Sequence, residues 1–168
     1  LQLGDSVTFA GPQQRDEFLP QLDIMLLTSV SEGLPFVILE SFAADVPCVS
    51  TDVGACRELI EGRPGENPAF GPAGMIAPVG NAEALAEALI TMLTHPEMLE
   101  TMGLAGRARS EAHYSQESVV ARYRALYSCQ PTDFARSGRP TTRQLHAAYE
   151  AAGQAATAGA REAKARLI

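Results

Sequence analysis

Two glutamates, Glu32 and Glu40, stand eight residues apart in the stretch S-V-S-E-G-L-P-F-V-I-L-E at residues 29–40. A carboxylate facing a crevice accepts both hydroxyls of a ribose through charge-assisted hydrogen bonds, which an uncharged side chain does less well. Between them, Pro35 suits the first position of a helix, since its fixed φ fits and its missing N–H would have had no intrahelical partner. The N–H groups of Phe36 and Val37 then fall in the first turn, without i−4 acceptors and at the positive end of the helix dipole. An anion is favoured there. Gly33 lets a phosphate reach the backbone without meeting a Cβ, as in strand-turn-helix units that hold diphosphates. Spacing alone assigns no function, because 20 acidic side chains in 168 residues give such pairs by chance and an exposed Glu is ordinarily solvated.

The elements that must position these residues follow from periodicity. D-I-M-L-L-T at residues 23–28 reads as a strand buried on both faces, and residues 36–44 carry a helical pattern. Asp45 follows just past a helix end, a place that allows a positive φ. Residues 46–51 form the next strand, with Pro47 near its start where a missing donor is tolerated. A short helix over 55–61 turns Leu59 and Ile60 inward. Residues 61–72 are a Gly- and Pro-rich loop, either a flap near the site or a surface insertion. Residues 74–78 make the last strand. Upstream, Val7-Thr8-Phe9 reads as a strand, and a brief helix over 13–19 ends at Pro20.

Three helices close the chain's main body. Asn81 caps the first, whose apolar face is Leu85, Ala88, Leu89, Met92 and Leu93. His95-Pro96 separates it from the second, in which Met98, Leu99 and Met102 face inward. Ser115 caps the third, with Val119, Val120, Tyr123, Leu126 and Tyr127 as its core stripe.

The run S-E-G-L-P-F-V-I-L-E-S-F-A-A, followed by V-P-C-V-S-T-D-V-G-A-C-R-E-L-I, resembles the donor-binding half of glycosyltransferase family 4, and is most similar to the Pel-type exopolysaccharide glycosyltransferases. The resemblance covers about residues 5–128. It implies a GT-B architecture of two Rossmann-like domains facing across a cleft, the carboxyl-terminal one holding the nucleotide sugar. By position it implies that Glu40 binds the ribose, that Glu32 acts near the sugar or its phosphates as the catalytic candidate, and that Gly33, Leu34, Phe36 and Val37 line the diphosphate. Thr51, Asp52, Val53 and Gly54, with Ala55, match the loop that approaches the donor. Asp45 and Ala55 both stand where relatives often have glycine. The resemblance further implies a retaining transfer from a UDP-sugar to a growing polysaccharide, with no metal or other cofactor.

Composition bounds the rest. The 46% hydrophobic content reads as one globular domain, and the formal charge of −7 without a basic stripe argues against nucleic acid as a partner. Cys48, Cys56 and Cys129 lack metal or redox spacing, and Cys48 reads as a packed thiol. No apolar run reaches bilayer length and no leader opens the chain, so a cytoplasmic protein, at most at the inner face of the membrane, is expected. None of His95, His113 and His146 sits beside an acidic or cysteine cluster, so none is assigned chemistry.

Two segments are expected: a partial nucleotide-sugar-binding domain over 1–130, and a basic Ala-rich tail over 131–168 that is a marginal helix or disordered. The first part carries 17 acidic and 7 basic side chains, and the tail 3 and 6. Thr141 and Gln144 read as a capping box there, with Leu145, Ala148, Tyr149 and Ala152 on one face. The fold class is thus α/β, an incomplete Rossmann-like parallel sheet followed by helices. The chain opens on Leu1, and the resemblance leaves the family's first two strands and their cationic pair without a counterpart. In the strand order 3-2-1-4-5-6, residues 7–9 would be strand 3 and 24–28 strand 4, with an open edge. Arg57 and Arg63 are then the nearest substitutes for the missing cations. Three readings stand: the donor-binding part of a glycosyltransferase that needs a separate acceptor domain, an interaction module that offers its edge and basic tail to a partner chain or membrane complex, and another nucleotide-sugar enzyme such as an epimerase.

Overall fold

Three short runs rich in apolar and β-branched residues pair side by side, all parallel: β1 (Met25–Leu27), β2 (Cys48–Thr51) and β3 (Gly74–Ala77), in the order β1-β2-β3. The register sets Met25 against Cys48 and Cys48 against Gly74. The computed structural model describes residues 3–66 and 69–128, with 146, 147, 150 and 151. Strand β2 is central and buried along its whole length. It starts after Pro47, whose carbonyl accepts from the Met25 N–H at 2.9 Å, so the proline's missing donor falls outside the ladder.

Helices α2 (Phe36–Ala43), α3 (Cys56–Glu61) and α4 (Ala82–Thr94) cover the sheet. Strand side chains alternate between faces. Val49 joins a core with Ala88 and Met92 of α4 and Met102 of α5 (Pro96–His113), while Cys48, one residue earlier, sits near Cys56 of α3. Asn81 caps α4 by accepting from the Ala84 N–H at 3.0 Å, and Ser115 caps α6 (Gln116–Ser128) by accepting from Ser118 at 3.2 Å, both as the sequence predicts. Asp45, just past α2, has φ 61, a positive value that such a helix end allows. The chain divides into two compact units, Leu1–Arg107 and Ala108–Ile168.

Several expectations are corrected. Residues 7–9 form no strand, and Phe9 is 96% exposed. A strand needs a neighbour to bond with, and none lies beside these residues among those described. β1 has the expected open edge, but it is not buried on both faces, since Leu26 is exposed. The helix expected over 13–19 is shorter, α1 (Arg15–Phe18), and Pro20 continues it as a 3-10 turn over Leu19–Gln21, since proline is tolerated where no helical donor is required. Pro35 flanks α2 rather than beginning it, with φ −73 and ψ 104. Leu93 is exposed, and so are Val119, Val120, Tyr123 and Tyr127 of α6, where Ser118 and Arg122 are buried instead. Nearly all of the tail over 131–168, including Thr141, Gln144 and Leu145, lies outside the described residues, as does Cys129.

Candidate functional site

The turns that leave the carboxyl ends of β1 and β2 are bonded to each other. The Thr51 hydroxyl donates to the Ser29 carbonyl at 2.5 Å, and the Ala55 N–H donates to the Gly33 carbonyl at 2.9 Å. Gly54 has φ 52 and lies so close that a Cβ there would stand 2.3 Å from the Glu32 carbonyl oxygen and 2.6 Å from that of Gly33. Only glycine meets both conditions. Residues 29–35 and 52–55 thus make one polar rim above the sheet, where parallel α/β sheets bind their ligands.

Each predicted site residue has a defined place. The Glu32 side chain is partly buried and accepts from the Ser29 hydroxyl at 2.7 Å. Gly33 and Leu34 are exposed. Phe36 and Val37 open α2, so their N–H groups point out of the helix start without intrahelical acceptors. The Phe36 ring is 69% exposed. Val53 donates back to the Thr51 carbonyl at 3.0 Å, and its own carbonyl accepts from Cys56, closing the turn that enters α3. Ala55 flanks α3 at φ −88, an ordinary value, so no glycine is required there.

Glu40 lies one turn beyond Phe36 on the same face of α2. One oxygen of its carboxylate accepts from Nη1 of Arg15, the first residue of α1. Beside the pair is a concavity of about 540 Å³ lined also by Asp16, Leu19, Pro20, Ala43, Ala44, Asp45 and Arg107. At its far end Arg107 donates to both oxygens of Asp45, at 2.5 and 2.6 Å, and to the Ala43 carbonyl at 2.9 Å.

Arg57 and Arg63, the cations expected near the site, are committed elsewhere. Arg57 donates to Asp52 at 2.6 Å and to Glu61 at 2.8 Å, and these two carboxylates, Asp52 foremost, hold the guanidinium well above its usual range. Arg63 pairs with Glu58 at 2.9 Å. Each arginine lies within reach of an acid on its own helix or turn, and a neighbour in sequence captures it first. Asp52, predicted to approach a donor, is accordingly turned toward Arg57.

Sequence reasoning left three participants without a role. Ser29 stands three residues before Glu32, the S-x-x-E spacing in which a hydroxyl and a carboxylate meet, and that signal was available. Arg15 and Arg107 lie 25 and 62 residues from their partners, and no local pattern marks them. Among the described residues, no group of three or more His, Cys, Asp or Glu is placed to hold a metal ion, and no helix is long and apolar enough to cross a membrane.

Known proteins resemble this chain over most of its length. The profile of the family described as "Glycosyl transferases group 1" matches residues 1–95. The chain is 32% identical over 128 residues to the N-acetyl-alpha-D-glucosaminyl L-malate synthase of Bacillus anthracis, a match that covers 76% of this chain and 32% of that protein. It is 31% identical over 123 residues to the amylovoran biosynthesis glycosyltransferase AmsK of Erwinia amylovora, covering 68% of this chain and 28% of the relative. Among solved structures, the sucrose-phosphate synthase from Thermosynechococcus elongatus superposes with a TM-score of 0.65 at 27% identity, over 80% of this chain and 32% of the other. The chain spans about a third of the length of these proteins.

Proposed function

Because the chain belongs to the glycosyl transferases group 1 family, we propose that the rim above β1 and β2, with the start of α2, binds the nucleotide-sugar donor of a retaining hexosyltransferase. The donor is a UDP-sugar and the acceptor a growing polysaccharide, held by an acceptor-binding part beyond the residues described here. The observation that carries this reading is the seating of Gly54 against the Glu32 and Gly33 carbonyls. It fixes two loops as one surface at the carboxyl edge of a parallel sheet, next to a helix start with two unpaired amides.

In this reading the Phe36 and Val37 N–H groups and the exposed backbone at Gly33 and Leu34 receive the diphosphate. Glu40 accepts the ribose hydroxyls. Glu32, oriented by Ser29, faces the sugar as the catalytic candidate, and Thr51, Asp52, Val53 and Gly54 bound the sugar side. With Arg57 and Arg63 held by carboxylates, backbone dipoles rather than cations supply most of the attraction to the phosphates from this chain. Activity of this chain alone is therefore expected to be weak.

The test is a calorimetric titration of the folded chain with UDP, UDP-glucose and GDP, alongside Glu40→Ala. Loss of charge-assisted bonds to the ribose should weaken UDP binding by at least about 1.5 kcal/mol, more than tenfold. A well-folded wild type that binds none of these nucleotides would overturn the reading.

A second reading has its own observation. Phe9 and Leu26 are exposed, and β1 is an open strand edge, features suited to docking another chain. A complex with a partner protein that forms equally well with Glu40→Ala, in the absence of nucleotide binding, would favour it.

A further inference from the structure

We infer that Arg15 is a positioning residue for Glu40, holding one oxygen of its carboxylate and offsetting its charge so that a donor ribose meets a fixed, charge-balanced acceptor. This rests on the donor-site reading above and adds to it a residue outside the motif.

Both ends of the pair stand on constrained elements. Arg15 opens α1, whose first turn is closed by Phe18 N–H donating to the Gln14 carbonyl at 2.9 Å, and the adjoining Leu19 is buried. The 3-10 turn over Leu19–Gln21 packs against α2, which carries Glu40. The Glu40 side chain is 31% exposed, open enough to rotate without a partner. A carboxylate offers about four lone-pair directions, so a single Nη1–Oε1 bond leaves acceptors for a diol.

Charge gives a second reason. The rim already carries Glu32, and Asp52 shares the single guanidinium of Arg57 with Glu61. An unbalanced Glu40 would add to the repulsion felt by a diphosphate. Arg15 removes that contribution at the point where it arises.

The test uses the full chain with UDP and 2′-deoxy-UDP as probes, titrated against wild type, Arg15→Gln, Arg15→Lys, Glu40→Gln and the Arg15→Gln/Glu40→Gln double variant. Thermal unfolding checks that each is folded. An exposed pair of this kind supports a change of about two- to fivefold. Arg15→Gln should weaken UDP binding by that amount and narrow the preference for UDP over its 2′-deoxy form, and Arg15→Lys should restore part of both. In the Glu40→Gln background, Arg15→Gln should change nothing further, since the two residues act as a unit. Arg15→Gln that binds as well as or better than wild type, while Glu40→Gln binds worse, would overturn this inference and leave the donor site standing. An equal loss from Arg15→Gln in both backgrounds would overturn it too, assigning Arg15 a general electrostatic role. If folded wild type binds neither probe, the donor-site reading fails and this inference falls with it.

Discussion

At Gly54 two demands coincide, a left-handed backbone at φ 52 and contact with the carbonyls of Glu32 and Gly33. Placing an L side chain in that conformation costs about 1–2 kcal/mol, and a Cβ 2.3 Å from a backbone oxygen must also push the loops apart. Gly54→Ala should therefore lower stability by about 2 kcal/mol or more in urea unfolding, and should weaken nucleotide binding by separating the two halves of the rim. Unchanged unfolding and binding would show that the loops are not held as described. Asp45 makes the opposite case. Its φ of 61 is unfavourable for most residues, yet Asp tolerates it better than they do, and the bidentate contact with Arg107 adds a modest exposed ion pair. The carboxylate thus suits a place where the backbone conformation favours glycine.

At the scale of elements, two glycines of α5 lie close against the end of α2 and against Asp45 just past it. A Cβ on Gly103 would lie 2.1 Å from the Asp45 carbonyl oxygen, and one on Gly106 would lie 2.6 Å from the Phe42 ring. Glycine inside a helix costs roughly 1 kcal/mol relative to alanine, so Gly103→Ala would stabilise an uncrowded helix by about that much. Here overpacking against a backbone carbonyl, which cannot swing aside as a side chain can, costs typically about 1–3 kcal/mol. We expect the steric term to win, with a lower urea midpoint for Gly103→Ala. A higher midpoint would mean that α5 sits further from α2. The same close approach sets Arg107 one helical turn along, within reach of Asp45 and Ala43.

At the scale of the whole molecule, stability is linked to pH through the central strand. Burial in the core, with Cys56 beside it, pushes the Cys48 thiol far above its usual range. The folded chain therefore keeps a proton that the unfolded chain releases above about pH 8.5. Above that pH the unfolded state binds fewer protons, so the contribution is fully present at neutral pH and declines as pH rises, at up to about 1.4 kcal/mol per pH unit. Urea unfolding across the alkaline range should show a steeper loss for wild type than for Cys48→Ala, with parallel profiles as the result that contradicts it.

Much of this protein is legible in its sequence because the signals are local. The apolar runs of β1 and β2, the helix over residues 36–43 and the caps at Asn81 and Ser115 each depend on neighbours within a few residues, and each is found in place. Tertiary structure decided what depends on distant partners. Whether residues 7–9 form a strand turns on a neighbouring strand, and whether β1 is buried on both faces turns on what packs over each face. The stripe on α6 lies exposed while Arg122 is buried, because helical periodicity marks a face without saying what covers it. Charge is the clearest instance: Arg57 and Arg63 find acids four or five residues away, but only the fold gives Arg15 and Arg107 their carboxylates. It thereby joins Arg15 to Glu40 across 25 residues, a pairing that only the meeting of α1 and α2 brings about.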